Sequence, residues 1–204
     1  MKKRTKLLIF TIVLGIAVYM ISLASDKKQL QTDILRLHVV GASDSEEDQT
    51  VKLYVRDAVL AAVEAVTFGA ENKAQAQILL SENLDLLEQA ANETLAEHGF
   101  AQRACVSLGQ EAFPKREYDT FALPAGIYDS LRVTIGKGEG RNWWCVVFPS
   151  LCIPAASNGT RDVAAGAGFS DTLSGAITGD EQYEVRFFLL DVWGRIENFF
   201  VKEK

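Results

Sequence analysis

The sequence predicts an α+β fold: an N-terminal strand and two helices packed on a mainly antiparallel sheet, preceded by an N-terminal signal or anchor helix. Three observations lead to this prediction. A basic flank and an apolar run occupy the first 25 residues, two amphipathic helix patterns follow between residues 46 and 98, and strand-like segments dominate residues 103–148. Grouped helices followed by grouped strands are typical of helices that cover one face of an antiparallel sheet.

The N-terminal segment predicts export. The uncharged run Leu7–Ala24 follows four basic residues, Lys2, Lys3, Arg4 and Lys6. Because basic residues stay on the cytoplasmic side, the rest of the chain should cross the membrane. The 18 residues of this run, interrupted only by Thr11, Gly15 and Ser22, would span about 27 Å as a helix, slightly less than a hydrocarbon core of about 30 Å. A signal peptide cut between Ala24 and Ser25 and an uncleaved signal anchor therefore fit equally well.

This segment divides the chain into two unlike parts, which are residues 1–25 and a single extracytoplasmic domain over residues 26–204. The whole chain has 204 residues with 21 basic and 27 acidic side chains, a net charge of −6. Four of the basic residues lie in the leader, so the domain holds 17 basic against 27 acidic residues and a net charge of −10. An acidic domain offers no dense basic surface to nucleic acid or to anionic lipid.

Composition narrows the function classes further. Hydrophobic residues make up 48% of the chain and charged residues 24%, which is the balance of a globular protein rather than a disordered or collagen-like one. The three cysteines do not have the spacing of a zinc site. We therefore expect neither a metal nor a cofactor.

Helix signals are clearest after the first strand, Ile34–Val40, which Gly41 ends. Ser45 and Asp48 have the spacing of a capping box and begin a helix that should run to about Val66. A second helix is predicted from about Asn72 to His98, with Gly99 as its C-terminal glycine cap.

The later segments alternate between strands and connectors. Glycines at 136, 138 and 140 lie between two strand patterns, so a hairpin turn is favoured over a phosphate-binding loop. Residues Ala155–Gly179 are rich in Gly, Ala and Ser and predict a flexible surface loop. The predicted strands are Arg103–Leu108, Ser130–Ile135 after a turn-like entry at Leu123–Tyr128, Asn142–Phe148 and Tyr183–Leu190, with a helix over Asp191–Lys202.

The candidate catalytic groups are sparse. His38 lies on a strand shortly before Asp44, and this pair is the basis of one hypothesis, an exported hydrolase or cell-wall-active enzyme. No nucleophile motif accompanies the pair, so structural hydrogen bonds are favoured for His38 and helix capping for Asp44. His98 is explained by its place in the last turn of a helix, where a cation complements the helix dipole.

The strand Asn142–Phe148 carries the most informative side chains. Adjacent strand residues face opposite sides, so Trp143 should share one face with Cys145 and Val147, and Trp144 the other with Val146 and Phe148. Such a strand is either covered twice or part of a partner-binding patch. Cys145 and Cys152 flank a bend and could form a local disulfide, whereas buried thiols for these two and Cys105 are an equally open alternative.

Three segments resemble stage II sporulation protein R of endospore-forming bacteria. They are "ILRLHVVGASDSEEDQTVKLYVRDAVL" (34–60), "LPAGIYDSLRVTIG" (123–136) and "GEGRNWWCVVFPSLC" (138–152). The resemblance covers most of the chain from about Ile34 to Ile153. The Gly41-Ala42 pair and residues 155–179 depart from the family pattern.

The resemblance implies a signalling protein rather than an enzyme. Members of that family are made in the forespore and exported into the space between the two septal membranes. There they trigger a membrane-embedded aspartic protease, stage II sporulation protein GA, which processes the precursor of the mother-cell sigma factor. A specific protein surface is then required, and we place it at Arg141, Asn142, Trp143 and Trp144 with the Gly136–Arg141 turn. A membrane-tethered binding module for wall or lipid components is a third hypothesis.

Overall fold

The computed structural model describes residues 2–118, 121–149 and 169–202. Six helices and six strands lie in these ranges. In chain order they are α1 (Lys2–Asp33), β1 (Leu35–Val40), α2 (Glu46–Val66), α3 (Lys73–Glu82), α4 (Leu84–Glu97), β2 (Ala104–Phe113), β3 (Arg116–Glu117), β4 (Ala122–Leu123), β5 (Gly126–Ile135), β6 (Asn142–Phe148), α5 (Asp171–Ile177), a 3-10 turn (Glu181–Tyr183) and α6 (Glu184–Lys202).

Four strands form the central sheet, in the order β2-β5-β1-β6. β1 pairs in parallel with β5 and antiparallel with β6, and β5 pairs antiparallel with β2. A separate two-stranded sheet joins β3 to β4. The fold is therefore α+β with a mixed, mainly antiparallel sheet, as the sequence predicts.

Helices cover both faces of this sheet rather than one. On the first face, α2 and α4 pack on the alternate residues Leu35, Leu37 and Val39 of β1 and form the larger core. On the second face, α1, α5 and α6 enclose a second core that includes Leu23, Leu30, Phe113, Tyr128, Leu173 and Leu190. The one-face arrangement is wrong because α1 and the C-terminal helices supply a second apolar layer.

α1 is one continuous helix with two environments. Large apolar side chains from Leu7 to Ile21 are exposed, and the helix is long and apolar enough to cross a membrane, since one 18-residue window within it has a mean hydropathy of 2.6. From Leu23 onward one stripe of the helix is buried in the second core. The predicted cleavage point between Ala24 and Ser25 lies inside this helix, next to the buried Leu23, and cleavage stays a prediction.

Polar contacts fasten the second half of α1 to α6. Asp26 forms a buried ion pair with Arg186, whose Nη2 also donates to Ser22 Oγ at 2.8 Å. Lys27 pairs with Glu197. The first half of α1 is thus an exposed apolar segment, and its second half is part of the folded domain.

The helix caps follow the sequence closely, with one break. Ser45 Oγ accepts from the Asp48 amide at 3.1 Å and begins α2, which ends at Val66 as predicted. Gly99 adopts φ +78° after α4, which is the left-handed conformation of a glycine cap. The helix predicted over 72–98 is divided at Asn83, whose φ of −123° leaves the helical range and whose Nδ2 donates to the Leu79 carbonyl at 2.8 Å.

The segment between β5 and β6 is not a hairpin, because β1 lies between these two strands. The chain instead crosses the end of β1 and packs on the loop that follows it. Gly140 N donates to Gly41 O at 2.9 Å, and a Cβ at Gly140 would lie 2.2 Å from Ser43 O. Glycine at 140 is required by this close approach.

The C-terminal region differs most from expectation. The strand predicted over Tyr183–Leu190 is wrong: Glu184–Lys202 form α6, in which Arg186, Leu190 and Gly194 face inward at helical spacing. The flexible loop predicted over Ala155–Gly179 is wrong at its end, where Ser170 caps α5. Residues 155–168 lie outside the described residues.

Candidate functional site

A row of polar side chains crosses all four strands on the second face of the sheet. Its members are Glu111 on β2, Arg132 on β5, His38 on β1 and Asn142 on β6. Arg132 Nη1 donates to Glu111 Oε1 at 2.6 Å. His38 Nδ1 lies 3.1 Å from Glu111 Oε2, and His38 Nε2 lies 2.8 Å from Asn142 Oδ1. Because an ionised carboxylate only accepts hydrogen bonds, His38 Nδ1 carries a hydrogen and donates a hydrogen bond to Glu111.

Glu111 is the electrostatic centre of this polar row. Burial alone would raise its pKa, but hydrogen bonds from His38, Ser130 and Arg132, together with the charge of His38, outweigh burial. The pKa of Glu111 is lowered from 4.5 to about 2. The carboxylate is therefore ionised at any physiological pH.

The lowered pKa of Glu111 predicts an acid-sensitive contribution to stability. Protonation is harder in the folded than in the unfolded state, so the contribution is complete above about pH 4.5 and disappears as the pH falls toward 2. We expect Glu111→Gln to lower the free energy of unfolding by on the order of 2 kcal/mol at pH 6. Denaturant unfolding of both proteins between pH 6 and pH 2 measures this difference, which should shrink with acidification. A difference that is constant across this range would contradict the assignment.

Trp144 lies beside the polar row on β6. Its ring stacks on the His38 ring with a centroid separation of 5.5 Å and an interplanar angle of 23°. The Arg116 guanidinium carbon lies 3.7 Å from the centroid of the Trp144 ring. Two cationic or potentially cationic groups thus fix the indole by stacking.

The polar row and Trp144 form one wall of an open cleft with a volume of about 890 Å³. His38, Glu111, Arg132, Asn142 and Trp144 line the sheet side. Lys115 and the last turns of α6 line the other side, with Arg195, Asn198 and Phe199. A cleft of this size, with aromatic and polar lining, is suited to a small ligand or to side chains of a docked protein.

The predicted surface residues are divided by the sheet. Asn142 and Trp144 reach the cleft, whereas Trp143 packs against the first core and lies beneath Arg56, 4.9 Å from its guanidinium carbon. Phe148 also joins the first core, because the register shifts opposite Leu35 and Arg36. Only the Trp144 side of β6 therefore contributes to the cleft.

The structure does not bring Asp44 to His38. Asp44 Oδ1 accepts a hydrogen bond from Arg141 N at 2.7 Å, so Asp44 and Arg141 join the two loops at the end of β1. The acid beside His38 is Glu111, and the other ring nitrogen faces the amide of Asn142 rather than a hydroxyl or thiol. The His38/Asp44 pair of the enzyme hypothesis is therefore wrong, whereas the favoured structural hydrogen bonds of His38 are present. The favoured capping role of Asp44 is also wrong, because Ser45 caps α2.

Cysteine and metal chemistry add little to the cleft. Cys105 is an exposed free thiol, and Cys145 is buried and disulfide-bonded. Cys152 lies outside the described residues, so its pairing with Cys145 stays a prediction. Over residues 2–118, 121–149 and 169–202, no group of three or more His, Cys, Asp or Glu side chains is placed to hold a metal ion.

Sequence reasoning missed Glu111 and Arg132. The predicted strand ended at Leu108, whereas β2 continues to Phe113 and carries Glu111. The sequence does contain a signal for these two strands. Val106 and Leu108 alternate with polar residues, and Ser130, Arg132 and Thr134 alternate with apolar ones, as in a strand with one buried face. The pairing of β2 with β5 is what brings Glu111 and Arg132 together.

Comparison with known proteins identifies the family to which the sheet-forming part of this chain is similar. The family model described as "Stage II sporulation protein R" matches residues 31–158, more than half of the chain. The chain belongs to the stage II sporulation protein R family. All four strands of the central sheet lie inside the matched range, so the polar row and Trp144 are part of the family region. The α6 side of the cleft lies beyond it.

One curated relative in this family is stage II sporulation protein R of Bacillus subtilis strain 168. It is 34% identical over 125 residues, which covers 61% of this chain and 56% of the relative. The chain thus matches little more than half the length of that relative. No solved structure matches the chain. Membership of the family supports a role in sporulation.

Proposed function

We propose that this protein is an exported intercellular signal of endospore formation. It is made in the forespore and activates a membrane-embedded aspartic protease of the stage II sporulation protein GA type. That protease then processes the precursor of the mother-cell sigma factor. Family membership is the observation that carries this proposal.

The proposed location follows from α1. Its basic flank and apolar first half suit a signal peptide or a signal anchor with the N-terminus in the cytoplasm. The domain then lies in the space between the forespore and mother-cell membranes, either released or held at the membrane by α1. The ion pairs between α1 and α6 favour a domain that keeps residues 25–33 in either case.

Activation by binding suits the chemistry of the cleft. A ligand shifts a receptor only if it binds the active state more tightly than the inactive one, so the signal needs a specific contact surface. Trp144 supplies a large, partly exposed ring held by neighbours, which is the kind of side chain that dominates binding energy. The side chains of the polar row form hydrogen bonds with one another, and none of them is a nucleophile. We therefore propose no catalytic step.

Reconstitution in a non-sporulating bacterium tests the proposal. The full chain, the candidate protease and its sigma-factor precursor are co-expressed, and precursor cleavage is followed by immunoblot. We expect cleavage only when all three proteins are present. The control is the candidate aspartic protease with its catalytic aspartate replaced. In the same cells, digestion of the chain by an unrelated protease added from outside shows that the chain is exported. No cleavage despite export, or equal cleavage without the chain, would overturn the proposal.

A further inference from the structure

Arg36 is a fully buried arginine that has no carboxylate partner within residues 2–118, 121–149 and 169–202. Arg36 on β1 has 0% of its surface exposed. Its Nη2 donates to Tyr118 Oη at 3.0 Å, but its Nε and Nη1 have no hydrogen-bond partner among the described residues. The guanidinium carbon lies 4.1 Å from the Phe113 ring centroid and 5.0 Å from that of Tyr128.

A second cation lies close to Arg36. Arg116 stacks on Trp144, whose carbonyl accepts a hydrogen bond from Tyr118 Oη, the same hydroxyl that contacts Arg36. Burial lowers the pKa of Arg116, and the charge of Arg36 lowers it further. The Nε of Arg116 is also buried without a partner in the described part of the chain. N–H donors with no acceptor in the described part of the chain thus occur on both Arg36 and Arg116.

This arrangement is unfavourable unless an anion completes it. A buried charge without a partner is strongly destabilising, and two neighbouring cations add mutual repulsion. Cation–π contacts with the aromatic rings around Arg36 offset only part of the hydration free energy that this charge loses on burial. Guanidinium groups with free N–H donors match the two oxygens of a carboxylate, with which they form paired, charge-assisted hydrogen bonds.

We propose that Arg36 and Arg116 form a binding site for a carboxylate. Arg116 is the accessible edge of the site, because it is only partly buried and stacks on Trp144, which lines the cleft. Tyr118 Oη connects the two regions, since it contacts Arg36 at 3.0 Å and the Trp144 carbonyl at 3.4 Å. The carboxylate comes from an acidic side chain of a docked protein or from a small organic acid. The site does not depend on the proposed protease partner.

Thermal unfolding of the full chain in detergent tests the site with acetate as the probe. Acetate is exchanged for chloride at constant ionic strength. We expect a saturable rise in the unfolding midpoint of the wild-type chain, loss of at least half of that rise in Arg116→Gln, and full loss in Arg36→Met. Without acetate, Arg36→Met should unfold at a higher temperature than the wild type, because an uncompensated charge has been replaced by an apolar side chain of similar length.

Arg103→Gln is the matched control, because Arg103 is exposed and lines a separate pocket with the α4 residues Asp85 and Glu88. It should keep the full acetate response. A wild-type response that does not saturate, or an equal response in Arg36→Met, would overturn the carboxylate site. So would a fall in the midpoint of Arg36→Met that is independent of acetate, since that indicates an acceptor within the chain itself.

A second titration separates the two sources of the carboxylate. A short blocked peptide with one central glutamate is compared with acetate and with the same peptide carrying glutamine, using Trp fluorescence. Tighter binding of the glutamate peptide than of acetate supports an acidic protein segment, and equal binding supports a small organic acid. Equal binding of the glutamate and glutamine peptides would overturn the proposal.

Discussion

Replacing Leu30 with alanine is expected to lower the free energy of unfolding by about 2–5 kcal/mol, the usual cost of a leucine-to-alanine cavity. Leu30 lies on the second half of α1 and is only 1% exposed, inside the core that also holds Leu23 and Leu190. The change leaves the apolar first half of α1 untouched. Denaturant unfolding of the full chain in detergent, followed by fluorescence, measures the loss.

Leu86→Ala is the matched control for this experiment. Leu86 is also a helical leucine, but on α4 it is 48% exposed, so its truncation leaves little or no cavity. A loss for Leu30→Ala no greater than for Leu86→Ala would show that the second half of α1 does not pack on the sheet. The larger loss would show that residues 25–33 belong to the domain.

Replacing Trp144 with alanine is expected to abolish most activation of the protease in the reconstituted system. Truncation of an aromatic residue at the centre of an interface costs about 2 kcal/mol or more, which corresponds to about a 30-fold loss of affinity. Trp144 lines the cleft together with His38 and Asn142. Precursor cleavage at limiting expression of the chain measures the effect, and denaturant unfolding of each variant checks its fold.

Trp143→Ala provides the comparison, because the two tryptophans are adjacent but face opposite sides of β6. Trp143 packs on the first core beneath Arg56, so its truncation should reduce stability while the folded fraction still activates normally. If Trp144→Ala folds and activates as well as the wild type, the interface lies away from the cleft. Loss of activation in the folded Trp143 variant alone would point to the opposite face.

Local signals were sufficient for the elements that local chemistry determines. Ser45 caps α2, Gly99 ends α4, and β6 begins and ends as predicted, because caps and alternation are encoded within a few residues. The strand prediction for Tyr183–Leu190 is wrong because local signals do not determine this segment. Its run of apolar residues suits a strand as well as a helix, and burial of Leu190 against the second core decides in favour of α6.

The site was only half visible in the sequence for a similar reason. Asn142 and Trp144 belong to an unusual local segment, so the sequence alone predicts that they contribute to a binding surface. Glu111 becomes the partner of His38 only through the order of the strands, with β5 between β1 and β2. Proximity to Asp44 along the chain suggested the wrong acid, because separation along the sequence does not measure distance across a sheet.

The central place of β1 in the sheet has a consequence for the timing of folding. β1 is the first strand to be made, yet its partners are β5 and β6, which end at Ile135 and Phe148. Contacts of such high sequence separation form slowly and only after the distant segments are present. A chain threaded through a membrane from its N-terminal side therefore cannot close its sheet until Phe148 has emerged. If the chain is exported as we propose, its central sheet is completed only after most of the polypeptide has crossed the membrane.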